Sequence, residues 1–329
     1  MLNDLNVLLR AKQSAFGTAN STATAILQNV SSFSMTPEFE ARTLAGLVGS
    51  LAPAHESALD MAKSSATFEV GDETFEDINY WLDSLFSAAT AAESAAPFSR
   101  AYAAPLTAAV SPAFMSLKWG QSGSIYLMPD VSVTSLKITG QTNGGVQVGG
   151  SLMGGPITAS TLDTLSIRTG QTRMTGCQAS VAIDAWAGVM GATLIEDCAF
   201  SYELTINSNR DYRGYLGKCY AAAWHDKKWS AQLRISMEVT ADSSPFMNEM
   251  LATPNKLLQK QIEIKHATGS GSDERLMQIQ FAGHTVQAPQ LFQERDGVMS
   301  VDLVFDGVYN PTFTNWLKIN TKSAIKLLV

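Results

Sequence analysis

The stretch MPDVSVTSLKITGQTNGGVQVGGSLMGGPI, residues 128–157, decides the fold. Apolar and polar residues alternate on both sides of an Asn143-Gly144-Gly145 corner, the pattern of two strands joined by a tight turn. The run holds one aspartate, no glutamate and no histidine, so it reads as a structural hairpin rather than a reactive site.

Upstream, Ala66, Phe68 and Val70 alternate on one face of a strand, and GDETFEDINYWLDSLF follows with Phe75, Ile78, Leu82, Leu85 and Phe86 at helical spacing. Thr74 is the expected cap of that helix, with acidic residues in its first turn. An Ala/Ser/Pro-rich connector over 87–112 leads to FMSLKWG and to the opening stretch. Downstream the same order returns. Leu233, Ile235, Met237 and Val239 share a strand face, SSPFMNEMLA reads as a helix with Ser244 as cap and Pro245 at its first position, and KQIEIKH, ERLMQIQFAGHTVQAPQLF and GVMSVDLVFDGV complete the set. Element order, more than residue identity, predicts an internal duplication. The expected fold is α+β but mostly β: two tandem domains, 1–159 and 160–329, each of packed antiparallel sheets forming a barrel or sandwich with a short flanking helix. Strand edges so poor in Lys and Pro predict that neighbouring copies cover them.

The bulk numbers narrow the function. The chain has 329 residues, 45% hydrophobic and only 16% charged, with a formal net charge of −7. Gripping nucleic acid needs clustered Lys and Arg, so that class is disfavoured, whereas a surface past which DNA slides is compatible. Three cysteines, Cys177, Cys198 and Cys219, lie far apart with no CxxC and no Cys/His cluster, which disfavours structural zinc and suits a reducing compartment. No run is long and apolar enough to read as a membrane span, and the N-terminal MLNDLNVLLRAKQ lacks signal-peptide character.

His55, His225, His266 and His284 have no partner at metal spacing, HDKKW (225–229) reads as a loop, and GSGSDE (269–274) lacks the Lys-Ser/Thr of a phosphate loop. No catalytic, cofactor-binding or metal-binding residue is therefore expected, and the chain does not read as an enzyme. NRDYRGYLGKCYAAAWHDKKW interleaves Tyr212, Tyr215, Tyr220, Trp224 and Trp229 with Arg and Lys. That pattern suits single-stranded nucleic acid or a protein interface, and the acidic whole favours the interface.

LLRAKQSAFGTA, ATFEVGDETFEDINYWLDSLF, KWGQSGSIYLMPDVSVTSLKITGQTNGGVQVGGSLMGGPI and VDLVFDGVYNPTFTNWLKINTKSAI resemble the tail tube proteins of long-tailed, siphovirus-like bacteriophages, most clearly from Thr67 to Ile157. The region 160–197 departs from that pattern. The resemblance implies a virion structural protein, assembled in the host cytoplasm, whose rings stack into a tube for DNA ejection. It implies tape measure, tail terminator and baseplate or tip proteins as partners, with DNA passing unbound. A duplicated chain would close as a trimer with pseudo-sixfold symmetry; a hexamer is the alternative ring. Hairpin 131–153 and its counterpart 276–305 would line the bore, with Asp130, Thr134, Gln141, Gln147, Asp302 and Asp306 as lumen candidates. Contacts between rings would join an acidic segment (Glu38, Glu40, Glu56, Asp60) to a basic aromatic one (Arg210, Tyr212, Arg213, Tyr215, Lys218, Trp224, Trp229), since opposite charge sets register. The competing class is a β-sandwich that binds carbohydrate on a virion or cell surface through 212–229.

Overall fold

The computed structural model describes residues 6–326 apart from 45–55, 253–256, 287–292 and positions 92, 94, 122, 166, 196–197, 217, 219, 221–222, 242 and 296. In the first half the strands are β1 (Val7–Lys12), β2 (Ala25–Ile26), β3 (Val30–Leu44), β4 (Glu56–Val70), β5 (Phe98–Ala103), β6 (Met115–Gln121), β7 (Ser124–Gln141), β8 (Gln147–Gly154) and β9 (Thr158–Ser160), with helix α1 (Ile78–Leu85) after β4. The remainder carries β10 (Ala179–Ala185), β11 (Leu194–Ile195), β12 (Ala199–Asn207), β13 (Asp211–Arg213), β14 (Ala223–His225) and β15 (Ser230–Glu238). Helix α2 (Ser244–Ala252) follows, then β16 (Gln259–Thr268), β17 (Arg275–Thr285), β18 (Gln293–Arg295), β19 (Val298–Gly307) and β20 (Leu317–Ser323).

The fold is mostly β. Among the described residues, eighteen strands join one hydrogen-bonded network and β13 pairs β14 separately. Pairing between strands is antiparallel throughout. In the first half the neighbours run β2-β1-β6-β7-β8-β4-β3. In the second they run β11-β10-β16-β17-β19-β15-β12. The two runs meet where β12 adds to the free edge of β7, from Ser201↔Gln141 to Asn207↔Ser135. A second tie is β20, which lies between β17 and β5.

The barrel expected of each half does not close among the described residues. The strand positioned to seal the first half is β7, and its outer edge is taken by β12, so the sheet continues into the second half instead of curling back on itself. The hairpin 131–153 is present as β7 and β8, paired from Ser132↔Met153 to Thr139↔Gln147. Its expected counterpart over 276–305 is not one hairpin. Residues 276–281 of β17 lie between β16 and β20, and β17 meets β19 only from Gly283↔Gly307 to Thr285↔Phe305.

The first helix is also placed differently from the sequence reading. It begins at Ile78, and Thr74 Oγ1 accepts from the Asp77 N–H at 3.0 Å in the turn before it. Glu73, Glu76 and Asp77 therefore precede the helix rather than filling its first turn, and all three are buried. Every residue of α1 is buried, because the helix is wedged between the two runs. Trp81 stacks on Phe68 of β4 with ring centroids 3.8 Å apart. On the opposite side, Asn79 accepts from Thr321 of β20 at 2.6 Å and Asp83 accepts from Tyr102 of β5 at 2.9 Å. One apolar core crosses both halves, from Phe68, Leu82 and Ile138 to Leu204, Ile235, Phe281 and Phe305.

Candidate functional site

Along the run β3-β4-β8-β7-β12-β15-β19 the alternation of strands sorts side chains onto two faces. Phe33, Phe68, Val148, Ile138, Leu204, Leu233 and Leu303 point into the core. The opposite face carries Ser34, Thr67, Gln147, Lys137, Glu203, Arg234 and Asp302, with Ser135, Thr139, Ser151, Thr205 and Asp306 between them. It is a broad, shallow surface of hydroxyls and amides spanning both halves of the chain.

Its charges are arranged in pairs. Lys137 Nζ lies 2.7 Å from Glu203 across the β7·β12 junction, and Lys63 lies 3.9 Å from Glu38 across β3·β4. Arg234 is bonded to Asp302, which also accepts from Ser236 Oγ. Glu69 accepts from Ser32 Oγ at 3.4 Å and Asp306 from Gln232 Nε2 at 3.0 Å. The acids Glu38, Glu69, Glu203, Asp302 and Asp306 thus outnumber the bases Lys63, Lys137 and Arg234, and each of these three bases sits in an ion pair. Asp302 holds Arg234 protonated above the ordinary guanidinium range.

Of the six lumen candidates, Gln141 and Gln147 are exposed on this face, and Asp302 and Asp306 are half-buried there. Thr134 sits at a bulge between Val133 and Ser135, where its hydroxyl donates to Ser151 O at 3.0 Å. Asp130 is elsewhere. It is buried at a left-handed backbone position, accepts from Gly17 N at 2.7 Å and Gln13 Nε2 at 3.3 Å, and its carboxyl is pushed upward chiefly by burial. The sequence reading missed Glu203, Arg234, Thr67 and Thr139. The signal that could have found them is the small or polar residue alternating with each core residue on strands β4, β7, β12 and β15.

The contact candidates divide in the same way. Arg210 is buried: Nε bonds Asp226 at 2.7 Å, and its guanidinium donates to the carbonyls of Ser84, Val133 and Leu85 at 3.0–3.2 Å. Tyr212 is buried against Phe16 and donates to Asp130 O, and Trp229 packs on Phe86 with centroids 5.3 Å apart. Trp224 is half-buried beneath the Arg210 guanidinium. Arg213, Tyr215 and Lys218 are exposed. Glu38 is half-buried; the side chains of Glu40, Glu56 and Asp60 lie outside the described residues, although their backbones are in β3 and β4. The two segments also touch within one chain, through a bridge between Ala62 and Tyr220.

The wide polar face ends at the outer edge of β3, which has no partner strand among the described residues. The chain belongs to the phage tail tube protein family, whose family model matches residues 4–307. It is a structural protein of the virion tail, and its family assembles into the tail tube. No curated protein matches the chain closely enough to be counted a relative.

Proposed function

We propose that three copies of this chain form each ring of the tail tube, and that the polar face described above lines the bore. The observation that carries this reading is the equivalence of the two strand runs. Each has seven strands in the same order, and each places the strand before a helix beside the strand that comes last in the chain within its run (β4·β8, β15·β19). This supports a duplication with domains 1–159 and 160–329, so three chains supply six equivalent units. Counting β18, which pairs with β19, gives each unit four strands; at ~4.8 Å spacing and ~40° tilt, about 24 strands close at a backbone diameter of about 50 Å, and six chains would double it. The narrower ring is the one matched to a single DNA duplex.

The paired bases and surplus acids support passage without capture, since a phosphate backbone is held by unpaired Lys and Arg. Exposed Arg213, Tyr215 and Lys218 are the candidates for contact with the next ring, opposite the acidic segment of β3 and β4. Tape measure, terminator and tip proteins would meet the ends of the finished tube, DNA would leave through it, and assembly would precede host lysis in the cytoplasm. Negative-stain microscopy of the concentrated, purified chain tests this: rings or tubes are expected, and a persistent monomer overturns it.

A further inference from the structure

The corner between β7 and β8 carries a chemistry of its own. We propose that Asn143 is a site of spontaneous modification, converted with loss of ammonia to aspartate and isoaspartate through a cyclic imide closed by the Gly144 amide nitrogen. The reaction belongs to a turn within one chain, so it stands or falls independently of the ring.

An asparagine side chain closes this ring most readily when glycine follows, because no Cβ crowds the attacking nitrogen. Asn143-Gly144 is the one Asn-Gly pair in the 329 residues. Solvent hydroxide removes the Gly144 N–H proton, and the nitrogen attacks Asn143 Cγ. The N–Cγ bond forms and the Cγ–Nδ2 bond breaks. Ammonia leaves with a proton taken from water, which regenerates the hydroxide. Water then adds to either carbonyl of the imide. Opening at Cγ gives aspartate, and opening at the main-chain carbonyl carbon gives isoaspartate. One water is exchanged for one ammonia, and nothing is oxidised or reduced.

The fold leaves both reacting groups free. Asn143 and Gly144 are exposed at the hairpin tip, and a Cβ built on Gly144 would meet nothing within 4 Å. Neither the Asn143 side chain nor the Gly144 N–H has a hydrogen-bond partner among the described residues. The two Asn-Ser pairs are closed off instead. Asn207 lies in β12, and the N–H of Ser208 after it donates to Thr134 O at 2.9 Å. Asn20 precedes Ser21, but its amide donates to Lys12 O at 3.0 Å and its Oδ1 accepts from Thr22 N at 3.0 Å. Conversion has two consequences at the tip. It adds one carboxylate per chain beside the polar face, two residues from Gly145, where the Asp72 carboxylate already approaches the backbone. Isoaspartate also lengthens the main chain by one carbon between two tethers, Thr142 N to Phe200 O at 3.0 Å and Gly176 N to Gly144 O at 2.9 Å. Both tethers hold the tip against the second half, so the modified turn sits more loosely there.

The test is peptide mass spectrometry of the full chain held in mildly alkaline and mildly acidic buffer, with isoaspartate read by an isoaspartyl methyltransferase and a labelled methyl donor. Progressive conversion of the peptide containing Asn143 is expected, faster in the alkaline buffer, while peptides containing Asn20 and Asn207 stay unchanged. Two variants should each lose most of the conversion over the same time: Gly144→Ala, for which the turn has room, and Asn143→Gln, whose longer side chain must close a larger ring. Conversion at Asn143 no greater than at Asn20 and Asn207 in the folded chain would overturn the proposal. So would conversion that Gly144→Ala leaves at its original rate. A chain that converts at Asn143 only after unfolding in urea would overturn it as well, since the folded turn would then keep the two groups apart.

Discussion

Arg210 shows how much one side chain can mislead when only its charge is known. In the sequence it belongs to a basic, aromatic stretch and reads as surface. In the fold it is sealed against Asp226 and three backbone carbonyls that join α1 and β7 to the loop after β12. Truncation would strand the Asp226 carboxylate in the interior. We predict that Arg210→Ala lowers unfolding free energy by about 3–5 kcal/mol, the range for breaking a buried pair. Arg213→Ala, exposed three residues on, should change it by less than ~0.5 kcal/mol. Urea melts of the dilute chain compare the two. Glu73 makes a second test. Burial, then the neighbouring Asp77, pushes its carboxyl up to about 8 from an ordinary 4.5. The folded state holds that proton more tightly than the unfolded chain, so stability is full below about pH 4.5 and falls as pH rises toward about 8, by about 1.4 kcal/mol per pH unit. Glu73→Gln should flatten this slope. An unchanged pH profile in the variant would show that Glu73 does not supply it.

Strands were legible where one face is apolar and the other polar. Ala66–Val70, Leu233–Met237 and the hairpin after Asp130 lie in strands of the fold, with the expected residues inward, while Val239 falls just past the end of β15 and is half-buried. Partners were not legible, because alternation fixes which way a side chain points but says nothing of which strand lies beside it. That is why 276–305 reads as a hairpin while β17 in fact spends its N-terminal part on β16 and β20. The β7·β12 junction depends on Gly140. A Cβ there would lie 2.3 Å from the Tyr202 ring, whose hydroxyl is bonded to His266 Nε2 at 2.8 Å. Gly140→Val should therefore cost about 1–3 kcal/mol as overpacking and loosen the seam between the halves. Hydrogen exchange should rise in 201–207 and 135–141 ahead of β10 and β16. Uniform exchange across all four would contradict a local role.

For the molecule as a whole, low charge and strand-rich halves without a reactive cluster already point to assembly at the level of sequence. What they leave hidden is the polar face, because it is built from small residues spread over strands separated by more than 200 residues in the chain, from Ser34 to Asp302. Stacking adds a further prediction: Arg213→Glu with Lys218→Glu should leave the chain folded and able to form rings, yet shorten tubes at ordinary salt. Tubes of normal length would place the contact between rings elsewhere. The most direct measurement is a cryo-electron microscopy reconstruction of assembled tubes with side chains resolved. Three chains per ring, with Lys137, Glu203, Arg234 and Asp302 facing the bore, is the predicted result. Six chains per ring, or that face on the outer wall, would contradict it.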